Sequence, residues 1–141
     1  MAGIARPMPR QPFAMFSGVH HIAIIASDYT VSRRFYVNVL GFAVVSETYR
    51  AERDSWKLNL TLPDGVEIEL FSFPSPPARL TRPEAAGLRH LALRTLDFDG
   101  TLAGLAAHGV ACEPVRVDEL TAKRYTFFAD PDGLPIEVYE S

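Results

Sequence analysis

Two histidines and two glutamates recur at matching points of this chain. His21 is followed seven residues later by Asp28, and His90 seven residues later by Asp97. Gly41 lies 20 positions beyond the first histidine, and Gly109 lies 19 beyond the second. Pro63-Asp64-Gly65 precedes Ile68-Glu69-Leu70, and Pro131-Asp132-Gly133 precedes Ile136-Glu137-Val138, each glutamate four residues after its glycine. The copies are offset by 69 residues at the histidines and by 68 at the glutamates. Taken singly, a strand histidine is more often a hydrogen-bonded structural residue, and a strand glutamate a solvated one. Solvated residues have no reason to recur at equivalent points of two copies. Imidazole nitrogen and carboxylate oxygen suit zinc, nickel, iron, cobalt or manganese and leave open positions for a substrate. Metal binding at one shared site is the chemistry that His21, Glu69, His90 and Glu137 fit best.

The elements that must position these residues follow the same order in each copy. Val19 to Ala26 reads as a strand, with Ile22, Ile24 and Ala26 on one face. Asp28 is an N-cap for the helix that follows, and Val31, Phe35 and Val39 form its expected buried stripe. Gly41 supplies the residue that ends the helix. Phe42 to Arg50, Trp56 to Leu62 and Val66 to Phe73 read as three strands, the last two joined at Pro-Asp-Gly. In the second copy Leu88 to Thr95 is a strand. Asp97 caps a helix with Phe98, Leu102 and Leu105 inward, and Gly109 ends it. Val115 to Val117, Arg124 to Ala129 and Leu134 to Tyr139 are its three strands. Between the copies, Pro74 to Gly87 holds four of the eleven prolines and reads as a linker. The expected organisation is a flexible tail over 1–17 and one domain over 18–141, with modules at 18–73 and 88–141 around a linker at 74–87. Two copies are too few for a solenoid, so two units pairing around a shared cleft is the economical architecture.

Strand alternation gives the four polar residues a common direction, because neighbours take opposite faces. The apolar set Ile22 and Ile24, Leu91 and Leu93, Ile68 and Leu70, Ile136 and Val138 packs under the helices. His21, His90, Glu69 and Glu137 are then turned to the other side. Phe71 and Phe73 share the Glu69 face, so one of them is placed to wall the cleft. Trp56, Tyr125, Phe127 and Phe128 read as mostly core. His20 is expected to face away from His21, and His108 to meet the helix dipole beside Gly109. Asp28, Asp64, Asp97, Asp130 and Asp132 fall at caps and turns and read as structural. Arg50, Arg53, Lys57, Lys123 and Arg124 have the chemistry to bind an anionic substrate, although solvated charges are the default for such positions.

Composition bounds the remaining classes. The 141 residues suffice for one compact domain, with 48% hydrophobic and 22% charged residues. Net charge is −3 and no run of five like charges occurs, so neither nucleic acid nor an anionic membrane is indicated as a partner. No apolar stretch approaches the length of a membrane span. The segment from Met1 to Pro12 has two arginines and three prolines but no apolar core, unlike a secretory signal. Cys112 is the single cysteine, which fits a reducing cytoplasm, and it reads as a small buried residue. A cytoplasmic location is expected.

His21-Ile22-Ala23-Ile24 is one of three stretches that carry a family resemblance. The second runs from Asp28 through Ser32-Arg33-Arg34-Phe35-Tyr36 to Leu40-Gly41-Phe42. The third is Asp130-Pro131-Asp132-Gly133 with Ile136-Glu137. At these residues the chain resembles the vicinal oxygen chelate superfamily, from Val19 to Glu140. As a set the motifs are specific for the fold and much less so for the reaction. The resemblance implies an α+β fold of two tandem βαβββ modules forming a U-shaped mixed sheet around a divalent metal, usually in a homodimer. His21, Glu69, His90 and Glu137 look like the His/Glu/His/Glu metal set of bacterial glyoxalase I, or lactoylglutathione lyase. Nickel or zinc is the first expectation, with manganese, cobalt or iron as alternatives. Extradiol dioxygenases and fosfomycin-modifying transferases generally use two histidines and one glutamate. Methylmalonyl-CoA epimerases tend to carry an amide at the Glu69 position, and bleomycin-resistance proteins usually lack the ligands. Bacterial glyoxalase I commonly has an arginine four residues after its first ligand histidine, helping to hold glutathione; here that position is Ile25.

The resemblance implies a metal-dependent lyase or isomerase acting on a small molecule with vicinal oxygens, such as a 2-oxoaldehyde–thiol hemithioacetal. The metal would act as a Lewis acid, and Glu69 or Glu137 would move a proton between adjacent carbons. The alternatives are another metalloenzyme of the superfamily (an extradiol dioxygenase, epimerase or thiol transferase), or a non-catalytic small-molecule-binding protein of resistance type.

Overall fold

The computed structural model describes residues 3–8 and 14–141. The expected tail over 1–17 falls partly outside the described residues. Its described part carries no helix or strand and leaves Ile4, Met8, Met15 and Phe16 exposed.

The first copy folds as β1 (His21–Ala26), α1 (Tyr29–Arg34), β2 (Ala43–Arg50), β3 (Ser55–Thr61) and β4 (Glu67–Ser72). The second gives β5 (Leu91–Thr95), α2 (Phe98–Ala107), β6 (Arg116–Val117), β7 (Arg124–Ala129) and β8 (Pro135–Glu140). The strands form two four-stranded sheets, ordered β1-β4-β3-β2 and β5-β8-β7-β6. In each sheet the first strand pairs parallel with the last, and the other contacts are antiparallel. Four of the eight strands are a residue or two shorter than the alternation predicts, β5 is three shorter, and β6 has only two residues. No helix among the described residues is long and apolar enough to cross a membrane.

The punctuation residues act as their chemistry dictates. The Asp28 carboxylate accepts from Val31 N–H at 3.2 Å, and Asp97 from Gly100 N–H at 3.0 Å, capping both helices. Gly41 and Gly109 take φ of 78° and 74°, the left-handed conformation that reverses the chain after a helix. His108 is the C-cap of α2.

The buried face of α1 differs from the expected stripe. Ser32 and Tyr36 are buried, whereas Val31 is 50% exposed and Phe35 and Val39 are partly covered. The helix continues past Arg34 as a π-helical turn over Phe35–Val39. The stripe rotates by one position because Tyr36 has a polar partner at depth that Val31 lacks. Its hydroxyl donates to Asp130 Oδ2 at 2.7 Å, and Asp130 is only 5% exposed. The other Asp130 oxygen accepts from the backbone N–H of Asp132 and Leu134, both at 2.9 Å. Burial first, and then the Asp130 carboxylate, hold the Tyr36 hydroxyl far above the usual phenol range, so it remains a donor. α2 matches expectation, with Phe98 and Leu105 buried and Leu102 packed against the core.

Asp130 and Asp132, both from the turn before β8, join the two copies. Ser27 donates its backbone N–H to Asp132 Oδ2 at 3.0 Å and its hydroxyl to Oδ1. Thr81 of the linker donates to the Gly133 carbonyl at 2.9 Å, and Phe35 meets Phe128 at 6.2 Å between ring centroids. One core cluster contains residues of both copies, among them Leu58, Leu60, Ile68, Leu70 and Ile136. Each such side chain contributes roughly 1.5–3 kcal/mol by leaving water. Cys112 packs against this cluster, and burial raises its thiol pKa, which argues against a reactive thiolate. Outside α1, Glu47 of β2 accepts from Tyr29 and, at 2.8 Å, from Arg33.

Tyr36→Phe leaves a buried carboxylate short of a donor and should cost about 1.5–3 kcal/mol, read as a lower urea midpoint at unchanged slope. At Glu47 the Arg33 contact, followed by the Tyr29 contact, holds the carboxyl below the ordinary range. That contribution is complete above the unfolded value of about 4.3 and is lost as pH falls through the lowered folded value. Glu47→Gln should therefore lose at most about 1 kcal/mol at pH 7, and its deficit against the parent should shrink below about pH 4.

Candidate metal centre

In both sheets the glutamate lies on the last strand, beside an alanine of the first. Glu69 pairs with Ala23 of β1 and Asn59 of β3, and Glu137 with Ala92 of β5 and Phe127 of β7. Each histidine stands two residues before its alanine, His21 within β1 and His90 immediately before β5, and each turns to its glutamate's face. The methyl side chains of Ala23 and Ala92 leave room for the imidazole to reach across to the carboxylate. His21 Nε2 lies 3.7 Å from Glu69 Oε1, and His90 Nε2 lies 3.0 Å from Glu137 Oε2. Within each copy the predicted pair is brought together. The flanking apolar residues Ile24, Ile68, Leu70, Leu91, Ile136 and Val138 are buried on the opposite side.

The two pairs do not merge inside one chain. Among the described residues no three of His, Cys, Asp and Glu converge as ligands for one ion. A single chain therefore presents two separate His–Glu pairs, one on each sheet.

The two pairs differ in their surroundings. Lys57 Nζ is 3.8 Å from Glu69 Oε2, and the Asn59 amide donates to the same oxygen at 3.4 Å. His20, expected to face away, instead meets His21, with Nδ1 to Nδ1 at 2.9 Å. His20 precedes β1, so the alternation of the strand does not govern its direction. The contact occupies His21 Nδ1 and leaves Nε2 toward Glu69. Around the second pair, Arg89 Nη1 lies 3.3 Å from His90 Nδ1.

Phe127, expected in the core, instead stands edge-on to His90 with centroids 5.1 Å apart. It is half-buried, and the adjacent Phe128 takes the core position. The register Phe127–Glu137 is the signal that could have found it, since paired residues share a face. Tyr125 likewise turns to the Phe127 side, with centroids 6.3 Å apart. Trp56 is not core either; it stacks on Tyr29 at 5.5 Å. His90, Glu137, Phe127, Tyr125 and Arg116 line a groove of about 1030 Å³. Ile25, 53% exposed, lines a separate cleft of about 530 Å³ beneath the linker, with Pro76, Pro77 and Leu80. Arg124 has a structural role: it binds Asp99 and Glu140 and covers the Phe98 ring.

Comparison with known proteins is consistent across sequence and fold. Residues 18–138 match the model of the Glyoxalase/Bleomycin resistance protein/Dioxygenase superfamily. The chain is 61% identical to the uncharacterised protein YaeR of Escherichia coli, over 86% of this chain and 95% of that one. It is 57% identical to the uncharacterised protein YwkD of Bacillus subtilis, over 89% and 98% respectively. Among solved structures, a glyoxalase family protein from Enterococcus faecalis superposes with a TM-score of 0.83 at 46% identity, covering 90% of this chain and all of that one.

Proposed function

Because the chain belongs to the glyoxalase/bleomycin resistance/dioxygenase, or vicinal oxygen chelate, superfamily, we propose that it is a divalent-metal-dependent lyase or isomerase. Its substrate is a small molecule with two adjacent oxygens, of which a 2-oxoaldehyde–thiol hemithioacetal is the most concrete case. One observation carries this reading: both sheets set a histidine Nε2 beside a glutamate carboxylate at the same diagonal of their parallel strand pair. The donor chemistry fits a borderline divalent ion such as nickel or zinc, with imidazole and carboxylate ligands. His21, Glu69, His90 and Glu137 would hold it. Bound there, such an ion supplies Lewis acidity toward the vicinal oxygens and room for exchangeable ligands.

The two glutamates divide the remaining work. Glu69 is held by Lys57 and Asn59 as well as facing His21, which fixes its position. Glu137 faces His90 and, across the strand, the hydrocarbon ring of Phe127. It is the carboxylate freer to move, so it takes the proton from one substrate carbon and returns it to the next. Phe127 and Tyr125 keep water from that side of the groove. Ile25 stands where bacterial glyoxalase I commonly has an arginine that helps to hold glutathione, so that contact is lacking here.

The full ligand set is completed between two copies, the first sheet of one chain facing the second sheet of its partner. A mixture of His21→Ala and His90→Ala chains tests this. If two copies share each site, the mixed dimer keeps one intact site, and about a quarter of parental turnover and metal content returns after mixing. If each chain builds its own site, mixing restores nothing.

Glu137→Gln should retain metal by elemental analysis and lose turnover by about 10²–10⁴-fold, whereas Glu69→Gln should lose the metal itself. Stoichiometric nickel or zinc protein that turns over no hemithioacetal, with any of several thiols, would sink the glyoxalase version.

A further inference from the structure

Arg50 ends β2 and pairs with Ser55 across a tight hairpin. Its guanidinium lies over Phe71 at 4.9 Å and Phe73 at 5.7 Å, and those rings stack on each other 6.0 Å apart. Nη2 donates to the hydroxyl of Ser55, which is fully buried, at 2.8 Å. Nε is buried and has no partner. Among the described residues no carboxylate lies within ion-pair distance of Arg50. The chain shows what a balanced version looks like: Arg116 also lies over two aromatic rings, Tyr125 and Phe127, yet pairs with Glu113 at 2.5 Å. Arg33, Arg89 and Arg124 each have a carboxylate too. An arginine with a buried, unpartnered Nε–H and no carboxylate beside it has donor capacity left to meet an anion.

Position says where that anion belongs. Phe71 is two residues beyond Glu69 on β4, roughly 7 Å along the strand. Its partner on β3 is Lys57, whose Nζ lies 3.8 Å from Glu69. Lys57 and Arg50 thus form a cationic track leading away from the His21–Glu69 pair along the same face. The second sheet has no counterpart: by register, Phe127 stands where Asn59 does, and Tyr125 where Lys57 does.

We propose that Arg50 and Lys57 bind a carboxylate of the substrate, held roughly 7 Å from the vicinal oxygens. The inference rests on the metal-site reading above, because the vicinal oxygens are placed by it. Arg50 supplies the planar fork that a carboxylate matches, and Lys57, placed beside Glu69, a second positive charge. The substrate is accordingly an anion whose charged end lies on the first sheet and whose apolar part faces Tyr125 and Phe127.

Two titrations of the full chain test this. In the metal-free protein, glutarate and its uncharged diamide are added while the ¹⁵N–¹H signal of Arg50 Nε is followed, assigned by its loss in Arg50→Gln. Glutarate should shift the signal saturably and the diamide should not, and Lys57→Gln should weaken the glutarate response about tenfold. In the metal-loaded protein, calorimetry should find 2-oxoglutarate bound at least about tenfold tighter than 2-oxopentanoate, with the preference lost in Arg50→Gln and reduced in Lys57→Gln. An unmoved signal, an equal response to the diamide, or a preference that survives both substitutions overturns the proposal. If the protein takes up no metal, the metalloenzyme reading falls, and the glutarate titration alone still decides the carboxylate site.

Discussion

Each half of this chain is organised by the parallel pairing of its first strand with its last. A parallel neighbour arrives only after a crossover, so the helix and two antiparallel strands are accommodated between the members of the pair. The pairing fixes Ala23 beside Glu69 and Ala92 beside Glu137. With side chains alternating, the histidine two residues before each alanine must share the glutamate's face. The residues between them, Ile22 and Leu91, point to the core side, so a slip of one register would expose apolar surface and bury the charge. The hydrophobic core thereby enforces the His–Glu approach from the opposite face of each sheet.

The two halves share a core cluster, and directional bonds cross the same seam: Tyr36 on Asp130, Ser27 on Asp132 and, from the linker, Thr81 on the Gly133 carbonyl. Directional bonds of this type set relative orientation where apolar contact alone would permit sliding. Asp130 does so from inside, with its oxygens divided between its own turn and the neighbouring helix. The same Asp-Pro-Asp-Gly turn leads into the strand carrying Glu137, so a single turn fixes the seam and starts a site strand.

Duplication has produced equal geometry and unequal chemistry. The diagonal His–Glu pairs match, but Lys57 and Asn59 surround the first while Tyr125 and Phe127 surround the second. The proposed site, drawing one half from each sheet, would be polar and cationic on one wall and aromatic on the other, and would orient a substrate with dissimilar ends.

Local chemistry was legible in the sequence. The repeat, the caps at Asp28 and Asp97, the turn glycines and the direction of all four His/Glu side chains follow from short-range sterics and strand alternation, which act within a few residues. The family and its fold were readable for the same reason, since the motifs sit at those constrained points. What depended on partners distant in sequence was not legible. The rotation of α1 onto Ser32 and Tyr36 required knowing that Asp130 waits 94 residues away. Phe127 left the core because of its cross-strand register with Glu137, and His20 turned to His21 because it lies outside the strand. The sequence by itself determined which four residues turn to a common face as candidate ligands. Only the tertiary structure decided that they stand as two separate His–Glu pairs within a chain, because the placement of the two sheets depends on contacts between residues far apart in sequence.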